Sequence, residues 1–170
     1  MKIIINESQL RLIVENEGED NLLNFTGYKN IDPDEWDDMF KHLNNKKGGK
    51  YIGYYINGDV KLSYSDVTEL NYLVKVEGSL DLNNSQIKLL PMLSYVGDGL
   101  DLMSTQIKLL PMLSEVGGFL SLYKSKIKLL PMLSYVGGFL DIRNTPFSTK
   151  TTEEKLRNKI EVNGFIYLWK

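Results

Sequence analysis

Seven residues in the C-terminal half of this chain share the chemistry of recognition: Phe119, Tyr123, Phe139, Arg143, Phe165, Tyr167 and Trp169. Aromatic rings and a guanidinium offer large contact surfaces at small entropic loss, and together they have the composition of a protein-binding hot spot. Their spacing hints at how they meet, because Phe119 and Phe139 lie twenty residues apart, as do Tyr123 and Arg143. Other reactive side chains suggest less. The absence of cysteine excludes disulfides, thiolate metal sites and a thiol nucleophile. The single histidine, His42, has no nucleophile motif beside it, and neither a phosphate loop nor a Gly-x-Ser-x-Gly run is present. Asp81 and Asp101 could stack as a carboxylate pair, but that spacing reflects a repeat rather than a cleft. The acidic run Asp32, Asp34, Glu35, Asp37 and Asp38 suits a helix N-terminus better than a cation site. No catalytic residue, metal site or cofactor is expected.

Such spacing needs elements that repeat every twenty residues, and the chain has them. The octapeptide IKLLPMLS stands at 87–94, 107–114 and 127–134, and in-register units start at 56, 76, 96, 116 and 136. Position 1 of each unit is Val or Ile; position 5 is Val60, Leu80, Leu100, Leu120 and Leu140; position 7 is Leu62, Leu82, Leu102, Leu122 and Ile142. Position 10 carries only hydroxyls: Ser65, Ser85, Thr105, Ser125 and Thr145. Positions 4 to 8 alternate as a half-buried strand should, with 5 and 7 inward. Twenty residues are too few to add an ordinary helix, and Pro91, Pro111 and Pro131 would interrupt one. The fold expected is therefore an α/β solenoid: a right-handed coil with a parallel sheet on one face, extended or 3₁₀ returns on the other, and helical caps at both ends. Asn57-Gly58 could instead close a hairpin, but glycine recurs there at Gly78, Gly118 and Gly138, where the period requires a turn into a parallel strand. Glycines at positions 2 and 3 predict a positive φ or a close turn rather than a phosphate cradle.

Three regions follow: an N-terminal helical segment and cap over 1–50, repeats over 51–147, and a C-terminal capping helix with a closing strand over 148–170. The spacing predicts one helix over 3–17, either docked or held out on a linker, and a loop over 16–30. A second helix starts at Asp32-Pro33-Asp34-Glu35 and turns Trp36, Met39, Phe40 and Leu43 inward. A third opens at Thr151-Thr152 with Leu156 and Ile160 inward, and a strand over 162–168 ends the series.

With 20 Lys and Arg against 22 Asp and Glu, the net charge of −2 does not favour nucleic acid or an anionic membrane as partner. No secretion-type or membrane-length apolar run is present, so a cytoplasmic location is expected. Lys88, Lys108 and Lys128 form a column on the turn side that could meet an acidic partner or simply fan into solvent. On the strand face, outward positions 4, 6, 8 and 9 are small and polar in early units and aromatic in later ones, where Arg143, Lys124 and Asp141 ring the rings. Phe119, Phe139 and Phe165 could equally stack on each other as cross-strand pairs or lie beneath the tail helix.

The series L-x-L-x-x-[S/T]-x-I followed by L-P-x-L, as in LDLNNSQI (80–87) and LPML (90–93), resembles a short bacterial leucine-rich repeat over roughly residues 56–147. The Val-Gly-Gly turn and the tail TPFSTKTTEEKLRNKIEVNGFIYL resemble repeat proteins of bacteria and their large phages, and NESQLRLIVEN resembles a short leader on phage proteins. That resemblance implies a non-enzymatic module that binds a protein through a concave strand face; if the chain is phage-encoded, it implies a host factor met in the host cytoplasm. It also implies that the hydroxyl column at position 10 weakly replaces the family's Asn, whose side chain bonds the backbone of adjacent turns. A structural or packaged virion component and a carbohydrate-binding repeat protein are the competing expectations. The oligomeric state is left open.

Overall fold

The computed structural model describes residues 21–25, 35–46 and 48–169. The helix predicted over 3–17 and the helix start at Asp32-Pro33-Asp34 lie outside the described residues. Within them the repeats wind into a parallel-sheet β-solenoid.

Each unit carries two pairs of strand residues separated by a glycine corner, and each pair joins its own sheet. The first sheet has seven strands in the order β1-β2-β4-β6-β8-β10-β12. These are Leu22–Asn24, Gly53–Ile56, Leu73–Val76, Tyr95–Val96, Glu115–Val116, Tyr135–Val136 and Glu161–Val162. The second has six, β3 (Val60–Lys61), β5 (Leu80–Asp81), β7 (Leu100–Asp101), β9 (Leu120–Ser121), β11 (Leu140–Asp141) and β13 (Ile166–Tyr167). All neighbours are parallel. The strand expected over positions 4–8 is present but shortened to positions 5 and 6, and a further strand at the unit boundary, positions 20 and 1, forms a sheet of its own, so the expected single sheet is corrected to two. The physical reason is local: the Gly corner at 2–3 ends one strand, and a left-handed residue at position 9 ends the other. β2 and β3 sit in different sheets, so Asn57-Gly58 makes a corner and no hairpin. The returning segments are irregular apart from the parallel bridges Glu69↔Leu89 and Leu109↔Leu129, with a 3₁₀ turn at Ser148–Lys150 after the last full repeat.

Like residues fall on like residues, as a stacked coil requires. Val60, Leu80, Leu100, Leu120, Leu140 and Ile166 form one continuous register column. Val76, Val96, Val116, Val136 and Val162 form another. Both columns are buried.

Of the two alternatives for the position-2 and position-3 glycines the close turn holds, and the expected role of the position-10 hydroxyls is corrected. Positive φ is absent from the position-2 and position-3 glycines of the repeats except Gly58; it lies instead at position 9, where Tyr64, Asn84, Ser104, Lys124 and Asn144 have φ between 54° and 59°. The glycines answer to close approach: a Cβ on Gly97, Gly117 or Gly137 would overlap the carbonyl oxygen of Glu77, Gly97 or Gly117 respectively. The hydroxyls at position 10 do not bridge coils. Those of Ser65, Ser85, Thr105 and Thr145 donate to the carbonyl three residues earlier in the same turn, at 2.7 to 2.8 Å. The inter-coil role belongs to position 19, where Ser94 Oγ donates to Val74 O, Ser114 Oγ to Ser94 O and Ser134 Oγ to Ser114 O. A left-handed φ disfavours most L-residues by about 1–2 kcal/mol and is tolerated best by Gly and Asn. Ser104→Asn should therefore raise stability by about 0.5–1 kcal/mol, read as a higher urea midpoint; an unchanged or lower midpoint would discount backbone strain at this corner.

The loop predicted over 16–30 contains β1, which pairs with β2. Leu22 and Leu23 are buried and Phe25 stacks on Tyr54 at 4.5 Å, three apolar anchors too few to show a period in sequence. The helix Trp36–Lys46 buries Trp36, Met39, Phe40 and Leu43, with Phe40 against Tyr54 and Tyr72. Its Asp37, read as part of an N-terminal acidic run, has a specific partner set. The carboxylate accepts from Tyr54 Oη at 3.1 Å and from the backbone N–H groups of Asn71 and Tyr72, tying the helix to two coils. Burial first, and Asp37 second, push the Tyr54 hydroxyl well above its ordinary pKa. At the other end Thr152 caps the short helix Glu153–Arg157 by accepting from Lys155 N, and Leu156 and Ile160 are buried.

Candidate protein-binding face

The outer face of the six-stranded sheet presents side chains of positions 4, 6 and 8, because neighbours along a strand point to opposite faces. Stacking brings successive copies of one position together. The Phe119 and Phe139 rings lie parallel at 5.1 Å, Phe139 meets Tyr167 edge-on at 5.8 Å, and Phe165 tilts against Tyr167 at 6.3 Å. Six of the seven predicted residues join one cluster. Arg143 and Tyr123 complete the six: the guanidinium lies 5.2 Å from the Tyr123 ring centroid and 5.0 Å from that of Tyr167. Trp169 stands apart, 69% exposed and outside the ring contacts among the described residues, with its carbonyl accepting from Asn144 N. The expected stacking of phenylalanines is present between Phe119 and Phe139, whereas Phe165 meets Tyr167 instead, and the contacts do not hide them: Phe139 stays 36% and Phe165 75% exposed. Cover by the tail helix is thereby corrected.

Asp141 organises the centre. It is buried, and its carboxylate accepts from the backbone N–H, Nε and Nη2 of Arg143, which pins the guanidinium between the two tyrosine rings. The Asp141 hydrogen bond also raises the Arg143 pKa above its ordinary value, so the arginine stays charged at any physiological pH. Lys124 Nζ sits over the same Tyr123 ring, 5.0 Å from its centroid. The result is an aromatic surface carrying two cations, one of them held by a carboxylate, the geometry of cation–π contact.

One supporting residue was not foreseen. Gly99 is buried at position 4 of the preceding coil, and a Cβ there would overlap the Phe119 ring. The glycine leaves the space that the Phe119 ring occupies, and its signal in sequence is only the interruption of a column that otherwise carries side chains.

Position 6 builds a carboxylate column, with Asp81, Asp101 and Asp141 interrupted by Ser121. Asp101 accepts from Met103 N at 2.9 Å, and its pKa is raised by burial first and by the charges of Asp81 and Asp141 after it. Because the folded state keeps the Asp101 proton to higher pH than the unfolded chain, it binds more protons between the ordinary carboxylate range and the raised value. Stability falls as pH rises through that window. Asp101→Asn should remove this loss and stabilise the fold at about pH 7 by a few tenths to about 1 kcal/mol, the half-exposed setting screening the rest. Urea midpoints at about pH 3 and about pH 7 measure it; a variant less stable than wild type at the higher pH would show that the accepted hydrogen bonds outweigh the repulsion.

Among the described residues no group of three or more His, Cys, Asp and Glu side chains is placed to hold a metal ion, and no helix is long and apolar enough to cross a membrane. No family model matches the chain, and neither a curated protein nor a solved structure matches it.

Proposed function

We propose that the protein is a non-enzymatic binding module of leucine-rich-repeat type that recognises another protein through the outer face of its six-stranded sheet, with the helices Trp36–Lys46 and Glu153–Arg157 closing the two ends of the stack. One observation carries this reading: Phe119, Phe139, Tyr167, Tyr123 and Arg143 form a contiguous, partly exposed cluster on a rigid scaffold. The buried columns at positions 5 and 7 repeat because stacking demands it, while the outward residues above them differ from coil to coil, as a surface shaped for one partner would. Stacked phenylalanines turn their ring faces to each other and offer edges outward, which suits apolar and aromatic protein side chains better than the face-on packing a sugar ring takes.

The test is affinity capture from source-cell lysate with wild type beside the Phe119→Ala, Phe139→Ala and Tyr167→Ala triple variant, folding being checked by circular dichroism. Loss of at least one specifically enriched protein is expected, with a drop of about a hundredfold or more in affinity once that partner is purified. A partner list identical for the folded variant would remove the site.

A further inference from the structure

The third side of the solenoid, between the end of the six-stranded sheet and the start of the seven-stranded one, carries the repeated octapeptide. Burial accounts for three of its residues, since Ile107, Leu110 and Leu113 and their counterparts face the core. It does not account for the others. Lys88, Lys108 and Lys128 are exposed; Leu89, Leu109 and Leu129 stay between 41% and 59% exposed; Met112 and Met132 are exposed as well. These outward residues are nevertheless the same in all three copies, whereas the outward residues of the sheet face differ from copy to copy. Core packing alone does not call for that contrast, because these side chains keep about half of their surface open to solvent.

The arrangement is a leucine column, a methionine column and a lysine column running side by side along the coil axis. The bridges Glu69↔Leu89 and Leu109↔Leu129 hold the rows in register. Between two coils lies a groove of about 380 Å³ lined by Lys88, Leu89, Pro91, Lys108, Leu109 and Pro111. None of the ion pairs among the described residues uses Lys88, Lys108 or Lys128, and Lys126 adds a further exposed cation on the same side. An apolar stripe edged by unpaired cations is unusual on an isolated domain and marks contact with a partner of opposite charge.

We propose that this side is a second docking surface, separate from the aromatic face, and that its occupant is an acidic amphipathic α-helix of another protein laid along the coil axis. The spacing fits. Parallel strands repeat every 4.8 Å or so, and a helix advances about 5.4 Å per turn, so over three coils the two periods drift apart by only about 1 Å. Apolar residues of the helix at i, i+3 and i+7 enter between the leucine and methionine columns, and carboxylates on the flanking stripe reach Lys88, Lys108 and Lys128.

The probe is a synthetic helical peptide of about 18 residues, with leucines at those positions and glutamates flanking them, titrated into the full-length ¹⁵N-labelled protein. Amide shifts are expected in the segments 86–92, 106–112 and 126–132, and they should persist in the Phe119→Ala, Phe139→Ala and Tyr167→Ala variant, which separates this surface from the other. The variant Lys88→Glu, Lys108→Glu, Lys128→Glu should bind at least about tenfold more weakly and instead accept the same peptide with lysine in place of glutamate. Leu109→Ser, which changes no charge, should weaken both. Absence of binding up to about 1 mM, shifts confined to the aromatic face, or equal affinity of the charge-reversed variant would each overturn the proposal. So would concentration-dependent dimerisation through these segments without peptide, which would make a second copy the occupant.

Discussion

Gly117→Ala is expected to lower stability by about 3 kcal/mol or more, a large share of the roughly 5–15 kcal/mol that holds a domain folded. The Gly117 N–H donates to Val96 O at 2.8 Å, which draws its Cα directly over the Gly97 carbonyl, and a Cβ built there overlaps that oxygen. The obstacle is backbone rather than a side chain that could rotate away. Relief would require opening the ladder between two coils, and the same carbonyl-on-glycine contact recurs between Gly137 and Gly117, so the displacement would pass to the next coil. Gly138→Ala supplies the graded comparison. Its Cβ would sit 3.1 Å from Gly118 C and Phe119 N, a distance that a shift of a few tenths of an ångström restores, and a loss of about 1 kcal/mol is expected. Urea midpoints of the two variants measure the difference. Equal midpoints would mean that the coils are not in the close contact described.

The second large effect separates two leucines adjacent in sequence. Leu110→Ala should cost about 3–4 kcal/mol, because Leu110 is fully buried and its removal leaves a cavity that stacked neighbours on both sides hold open. Leu109→Ala should cost only about 1–1.5 kcal/mol, since that side chain is 41% exposed and gives up only part of a leucine's burial without leaving an enclosed cavity. Both substitutions delete the same atoms from the same octapeptide. Their comparison by denaturant unfolding therefore reads the orientation of the returning segment directly, and a larger loss at Leu109 would place the wrong leucine inside.

Much of this could be read before any coordinates. Leu80, Leu100 and Leu120 recur at a fixed interval, and twenty residues per unit admit only a tight coil, so the columns and the stacking follow from periodicity. The same logic places Phe119 beside Phe139 and Arg143 one coil beyond Tyr123. The helix residues Trp36, Met39, Phe40 and Leu43 were legible from their spacing for the same reason.

What periodicity leaves undecided is how each coil is bent, because that depends on contacts between coils and not on any local pattern. The second strand at each unit boundary, the left-handed turn at Ser104 and Lys124, and the inter-coil hydrogen bonds of Ser94, Ser114 and Ser134 are consequences of closing a twenty-residue loop while keeping its carbonyls paired. Asp37 illustrates the point most plainly. In sequence it is one acid among several at a helix start; in the folded chain it is buried and bonded to Tyr54, Asn71 and Tyr72, residues 17 to 35 positions away. The amino-acid order determined which residues repeat and therefore which must stack. The tertiary structure alone decided which glycines are crowded, which hydroxyls bridge coils and which leucines face water, because each of those depends on a few tenths of an ångström between segments that the sequence holds twenty residues apart.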